Sequence, residues 1–351
     1  MKIVHIAKYY LPHLGGVEIH LKEINSLLIK MGHEVTVVTL KHNSKLADSA
    51  ICNGVKVIRI PDDVEQRWEF IKSHKDTFLE ADVIHVHDVF WWIMPIYKLI
   101  RKKIFITFHG WETKYPVRFN AKLQRYVYSK LSRGSIHVGA WIQKFYFDKP
   151  SYITYGGINA KRLTKSGKKN HIQDDFQISI AFIGRLSNDN EVEKYIQTVG
   201  ILKTKGYKVN ITWIGDGEYR QKCEKLGEVT GFVKNISKYL VNKDLIFSSS
   251  YLSILEAQLI GNNVCSFYSN NLKKAYLESF PGSKYLLIAN TPESMISKIT
   301  LLFDSPKSEN QSKIEAREFA KQQTWGKALN IYLKLWDEGL AHHSECNRIK
   351  I

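Results

Sequence analysis

Short runs of apolar, β-branched residues alternate along this chain with longer stretches whose apolar positions recur every three or four residues. The runs predict strands at 2–6, 34–40, 55–60, 83–87, 104–108, 136–138 and 152–155. Several lack a polar face, as strands covered on both sides require. After the first run, Ile19, Leu21, Ile24, Leu27, Leu28 and Met31 mark a helical face over 17–31, and Gly32 stops it. The pattern restarts with strands expected at 178–183, 209–214, 245–248, 264–268 and 285–288, and helices at 191–205 and 252–260. Such alternation implies parallel sheets joined by crossover helices. The intervening segment is polar and has no apolar period, so it reads as a linker. The expected fold class is α/β: a Rossmann-like domain at 1–160, a linker at 161–177 and a second Rossmann-like domain at 178–324, facing across a cleft. A last helix at 325–341 begins at Trp325, and the tail 342–351 is expected to be disordered. Ligands of such sheets bind beyond the carboxyl ends of the strands.

Composition adds one constraint. The 351 residues are 44% hydrophobic and 24% charged, which is ordinary for a globular chain. The formal charge of +17 is less ordinary and suits an anionic partner. It divides into +9 over residues 1–160 and +8 beyond. With no helix-turn-helix, RRM or zinc pattern beside it, nucleic acid is not an expected partner. Cys52, Cys223, Cys265 and Cys346 are scattered, which fits a reduced compartment. His5 and Lys8 interrupt the N-terminal apolar run, making it a poor signal peptide. The uncharged run 89–97 is far short of the ~20 residues of a membrane span. The expected location is cytoplasmic.

Candidate chemistry sits at strand ends. Gly15 and Gly16 open the first helix, where close backbone approach and free N–H groups favour an anion. No GxGxxG dinucleotide fingerprint and no DxD metal pair is present. Gly184 and Arg185, then Gly215, end the first two strands of the second half, and Ser250, Tyr251 and Leu252 lead into a helix carrying Glu256. A guanidinium at Arg185 suits a diphosphate, against a surface arginine as the plain alternative. His85 and His87 share a strand face but lack a third metal ligand. Trp91 and Trp92 read first as core and second as an acceptor wall, and Tyr115 is a further acceptor candidate. The helix expected at 117–133 carries Arg118, Lys122, Arg125 and Arg133 near one stripe, either a solvated face or a contact with anionic membrane. Asn188 with Glu191 has the spacing of a capping box.

Together these segments resemble one family. KIVHIAKYYLPHLGGVEIH, DVIHVHD, TFHG, TYGGIN, FIGRLSNDNEVEKY, WIGDGEYR, VTGFV and SSSYLSILEAQLIG follow in the order seen in the retaining glycosyltransferases of family 4. The resemblance covers nearly the whole chain and implies a GT-B fold. It implies donor phosphates near Gly15 and Gly16, a reacting sugar beside His109 and a diphosphate neutralised by Arg185. It also implies a base flanked by Phe232 and Val233, a diphosphate capped by the N–H groups of Tyr251 and Leu252, and a ribose held by Glu256. Gly184 and Gly215 fall in the same donor-binding loops, with Ser250 beside them. Two departures stand out. Ser248 replaces the first glutamate of Glu-x7-Glu, and Asn190 and Glu191 stand where a lysine usually follows the arginine.

The expected activity is therefore metal-independent retaining transfer of a hexosyl-type group from a nucleotide-sugar donor to a hydroxyl of a glycan or lipid-linked acceptor. Cell-surface glycan or glycolipid synthesis is the expected setting, with no cofactor and a peripheral place on the inner membrane face. The departures motivate a different reading, a catalytically weak or non-catalytic GT-B nucleotide-binding subunit. An epimerase on the same fold is a third.

Overall fold

The computed structural model describes residues 1–111, 115–159, 177–233 and 235–348, with 342–348 described by backbone alone. The chain divides into two compact units, Met1–Gly156 with Trp325–Ile351, and Gly157–Thr324. The linker expected at 161–177 lies outside the described residues, except for Gln177, which opens a strand.

The first unit has strands β1 (Lys2–Ala7), β2 (Glu34–Leu40), β3 (Ser49–Cys52), β4 (Val55–Ile60), β5 (Val83–His87), β6 (Ile104–Phe108), β7 (Ser135–Val138) and β8 (Tyr152–Thr154). Its helices are α1 (Gly16–Lys30), α2 (Val64–Ser73), α3 (Lys75–Leu79), α4 (Tyr97–Ile100), α5 (Phe119–Leu131) and α6 (Ile142–Phe145). The sheet order is β3-β4-β2-β1-β5-β6-β7-β8, and only β3 runs antiparallel to its neighbour. The strand order reverses at β1, so the switch point lies between β1 and β5, where α/β sheets bind ligands. The β1–β5 register sets His5 opposite His85 and Ala7 opposite His87, and the β5–β6 register sets His87 opposite Thr107. Three histidines thus meet inside a sheet whose β5 and β6 are buried along their whole length.

The second unit has β9 (Gln177–Ile183), β10 (Lys208–Ile214), β11 (Glu228–Gly231), β12 (Leu245–Phe247), β13 (Asn263–Phe267) and β14 (Leu286–Ala289). Its helices are α7 (Val192–Thr204), α8 (Arg220–Glu224), α9 (Ser237–Leu240), α10 (Tyr251–Ile260), α11 (Asn271–Glu278), α12 (Pro292–Phe303) and α13 (Pro306–Lys321). The order β11-β10-β9-β12-β13-β14 is parallel throughout and reverses at β9. Its core centres on Phe182, Tyr195, Trp213, Phe247 and Phe267. Burying each such side chain contributes roughly 1.5–3 kcal/mol. Helix α14 (Trp325–Arg348) closes the chain and packs on α1 and β8 in the first unit.

Two local expectations are corrected. The tail expected to be disordered continues α14 to Arg348. Asn188 and Glu191 form no capping box: Asn188–Asn190 is a 3-10 turn, and Glu191 enters α7 at φ +60 with its carboxylate 3.1 Å from Lys194 Nζ. The left-handed backbone turns the Glu191 side chain away from the cap position.

Candidate functional site

In the first unit the site grows from the histidine register. Trp336 of α14 donates its indole N–H to His85 Nδ1 at 2.9 Å. An indole nitrogen only donates, so neutral His85 carries its proton on Nε2 and gives it to Thr107 Oγ1 at 2.7 Å. Using each remaining proton once, Thr107 donates to the Tyr332 hydroxyl at 3.1 Å and Tyr332 donates to His20 Nε2 at 2.9 Å. A second chain links His5 Nδ1 to His87 Nε2 at 3.0 Å and His87 Nδ1 to His109 Nε2 at 2.8 Å. His5 Nε2 is buried without a partner. A bare lone pair is better tolerated there than an orphaned N–H. His5 and His87 therefore both donate from Nδ1, and His109 accepts at Nε2 and keeps its proton on Nδ1.

Burial drives all five imidazoles toward the neutral form. His5 is pushed down to about 3 by burial, with His20 as a lesser cause, and His109 to about 3 by burial and then by Arg125. His20, His85 and His87 lie well below the ordinary value, from burial first and neighbouring histidines second. His109 is thus a positioned N–H donor rather than a base near neutral pH. Its turn is fixed twice: the His109 backbone N–H donates to Asp88 Oδ1 at 3.0 Å, and Arg125 Nη2 donates to the Gly110 carbonyl at 2.5 Å. Arg125, expected on a basic surface stripe, is buried over the Phe108 and Tyr146 rings at 5.1 and 4.0 Å. The His85–His87 pair is spent on these hydrogen bonds.

Gly15 and Gly16 do open α1 at the switch point, but the helix start is not bare. The third helical residue, Glu18, is buried, pairs with His13 at 3.0 Å, and lays its carboxylate over Gly15. A Cβ on Gly15 would meet Glu18 Oε2 at 2.4 Å. Glu18 thus puts negative charge in the first turn of α1, where the positive end of the helix favours it.

In the second unit Gly184 and Arg185 follow β9 at the other switch point, and Ser250 precedes α10 after the neighbouring strand β12. Gly215 is glycine for a packing reason: at φ +147, a Cβ there would lie 1.8 Å from the Gly184 carbonyl oxygen. The two glycines let adjacent loops touch through backbone. The Arg185 side chain is exposed and pairs with Asp189 at 3.3 Å. Ser250 makes no side-chain cap. The Tyr251 N–H, expected to meet a diphosphate, is donated to the Tyr276 hydroxyl at 3.2 Å, with the two rings stacked at 4.1 Å. Leu252 and Glu256 are half-buried on α10, while after β11 Phe232 is exposed and Val233 half-buried. Ser248, at the departure from Glu-x7-Glu, is fully buried with its hydroxyl unpartnered.

A sequence model of Glycosyltransferase Family 4 matches residues 14–150. An uncharacterized glycosyltransferase of Methanocaldococcus jannaschii is 23% identical, over 96% of this chain and 98% of that protein. Sucrose-phosphate synthase of Thermosynechococcus elongatus superposes with TM-score 0.77 at 13% identity, covering 97% of this chain and 99% of that one. Anabaena HepE in complex with UDP and glucose superposes with TM-score 0.71 at 15% identity, covering 95% and 98%. The chain is a GT-B glycosyltransferase.

In this glycosyltransferase the acceptor candidates fare unequally. Trp92 is buried, and Trp91 and Trp92 hold the buried Arg67 guanidinium at 4.9 and 4.8 Å from their rings. Both indoles thus pack on the α2 guanidinium. Tyr115 is exposed. Two residues that shape this region were not among the site candidates read from the sequence: Arg125, which holds the Gly110 carbonyl, and Glu18. Glu18 sits at the third helical position, where a carboxylate folds back on a helix start.

Proposed function

We propose that this glycosyltransferase is retaining and moves a hexosyl group from a nucleotide-diphospho-sugar to a hydroxyl of a glycan or lipid-linked acceptor. The carrying observation is that Arg185 follows β9 and α10 follows the neighbouring β12, so both lie at the carboxyl ends of the strands that flank the switch point of the second sheet. Departure of a nucleoside diphosphate builds negative charge on phosphate oxygens. A guanidinium and a helix start fixed nearby stabilise that charge without reorganising. The exposed Arg185–Asp189 pair is worth little, so a phosphate offering two oxygens to the fork displaces it. Retention follows when the acceptor hydroxyl attacks from the face the diphosphate leaves and its proton passes to a departing phosphate oxygen. His109, neutral and donating from Nδ1, orients a sugar oxygen. HepE, crystallised with UDP, with UDP and glucose, and with UDP-glucose, supports the donor class. The test is a thermal-shift panel of UDP-, GDP- and ADP-sugars. At a hundred times the dissociation constant, the matching donor adds about 2.7 kcal/mol of stability. A flat response to all three rejects the donor assignment.

We further infer that the acceptor is met at an anionic membrane surface. Phe119, Leu123, Tyr126 and Val127 lie on one face of α5 and are exposed by 65%, 45%, 39% and 41%. Phe147, also exposed, meets Phe119 at 5.7 Å between ring centroids. Arg118, Lys122 and Lys130 rim this face. Aromatic and aliphatic side chains under a basic rim suit a lipid interface, with roughly 1 kcal/mol from each Lys or Arg near the surface. No helix among the described residues is long and apolar enough to cross a membrane. The protein should float with phosphatidylserine-containing liposomes, and Phe119→Glu with Leu123→Glu should abolish flotation. Wild-type protein that stays in the dense fraction, or a double variant that still floats, contradicts this placement.

A further inference from the structure

His20 stands in the second turn of α1, at the switch point of the first sheet, and the donor reading above gives it no part. Which of its nitrogens carries the proton is decided on another helix. The Trp336 indole of α14 can only donate, and it gives its N–H to His85 Nδ1 at 2.9 Å. The protons then run one way: from His85 Nε2 to Thr107 at 2.7 Å, from Thr107 to the Tyr332 hydroxyl at 3.1 Å, and from Tyr332 to His20 Nε2 at 2.9 Å. Thr107 and Tyr332 are fully buried. Reversing either of the last two links would leave a buried hydroxyl proton with no acceptor among the described residues. His20 is therefore held as the Nδ1–H tautomer, since the bond at one ring nitrogen fixes the state of the other. Burial first, and His109 second, keep the ring neutral at neutral pH.

The Nδ1 edge is the one left for a ligand. His5 Nε2 is sealed from solvent without a partner; His20 Nδ1 is not sealed, and nothing among the described residues accepts from it. His109 lies against His20, with ring centroids 5.1 Å apart and planes at 89°. It too keeps its proton on Nδ1, because His87 donates to its Nε2 at 2.8 Å. Two neighbouring imidazoles thus turn Nε2 to buried donors and keep Nδ1–H in reserve, each through its own chain of hydrogen bonds. The charge nearest in sequence is the buried Glu18 carboxylate, two residues before His20 and paired with His13 at 3.0 Å. A carboxylate there opposes a phosphate. Uncharged N–H donors beside it suit an uncharged oxygen, such as a sugar hydroxyl or ring oxygen.

We propose that His20 is a second binding residue for the transferred sugar, donating from Nδ1, beside His109, to an oxygen of that sugar. This rests on the reading of His109 given above. It also gives α14 a part in the site, because the proton order that starts at Trp336 sets the donating edge of His20.

The experiment uses whichever of the UDP-, GDP- or ADP-sugars binds the wild-type protein. His20→Gln keeps an acceptor for the Tyr332 hydroxyl at the place of Nε2 and removes the group at Nδ1. It should lower kcat/KM for donor turnover by about 10-fold and leave the affinity for the nucleoside diphosphate alone unchanged. Wild-type kcat/KM in His20→Gln overturns the proposal. A variant that no longer binds diphosphate has lost its fold, and the decisive measurement moves to wild type. There, NMR of protein carrying nitrogen-15 histidine should show Nδ1 of both His20 and His109 shifting with the nucleotide-sugar and not with diphosphate. A shift at His109 without one at His20, or a His20 shift equal with both ligands, overturns this assignment alone. No shift at either ring rejects the reading of His109 as well. A wild-type protein that binds none of the three donors rejects the donor reading itself, and this assignment with it.

Discussion

Acidification from pH 7 to 5.5 should lower the melting temperature of the first unit by about 12–24 °C. The cause is the buried imidazole cluster of His5, His20, His85, His87 and His109. Each has a folded-state pKa below the ordinary histidine value, His5 and His109 at about 3. The folded state thus binds fewer protons than the unfolded chain once the medium falls below about 6.5. Stability is full above that value and is lost as pH falls, until the folded-state histidines protonate as well. Each group contributes a slope of about 1.4 kcal/mol per pH unit in that window. Five together amount to about 6 kcal/mol between pH 7 and 5.5, a large share of the 5–15 kcal/mol typical of a domain. Tryptophan fluorescence reports this unit well, since Trp213 alone of the eight tryptophans lies in the other one. A melting temperature that stays flat across this range would show that the cluster is not held neutral.

Replacing Arg185 by alanine should slow release of nucleoside diphosphate from the donor sugar by about 100- to 1,000-fold. The guanidinium is exposed and holds only the exposed Asp189 carboxylate, so its removal leaves the fold intact. The loss falls on the rate rather than on stability, because charge on the phosphate grows as the sugar bond breaks. Enzyme-coupled detection of the released diphosphate reads the effect. A variant that retains wild-type turnover would remove Arg185 from the chemistry.

Most of the architecture was legible because buried parallel strands announce themselves. The Val/Ile runs at β1, β2, β5 and β9 have no competing reading, and a helical period follows each crossover. The antiparallel β3 escaped because its four residues alternate between half-buried and exposed and carry no apolar run. Glycines at the loops were visible, but not their reason. The close approach of the Gly184 carbonyl that requires glycine at 215 joins two loops distant in sequence, so no local pattern displays it. Arg125 was misread for a physical reason: helical periodicity locates a side chain on a face, not the aromatic rings and the Gly110 carbonyl that draw it inward. The Glu18 carboxylate over Gly15 and the Tyr276 hydroxyl on the Tyr251 N–H are contacts at helix starts that no local pattern announces.

Donor turnover tests retaining transfer most directly. The donor selected by the thermal-shift panel should be split slowly in the absence of acceptor, and proton NMR of the freshly released sugar should show the same anomer that the donor carried. Arg185→Ala should abolish that signal over the same interval. No release of nucleoside diphosphate from any of the three donor classes, or release of the opposite anomer first, would contradict retaining transfer from a nucleotide-sugar.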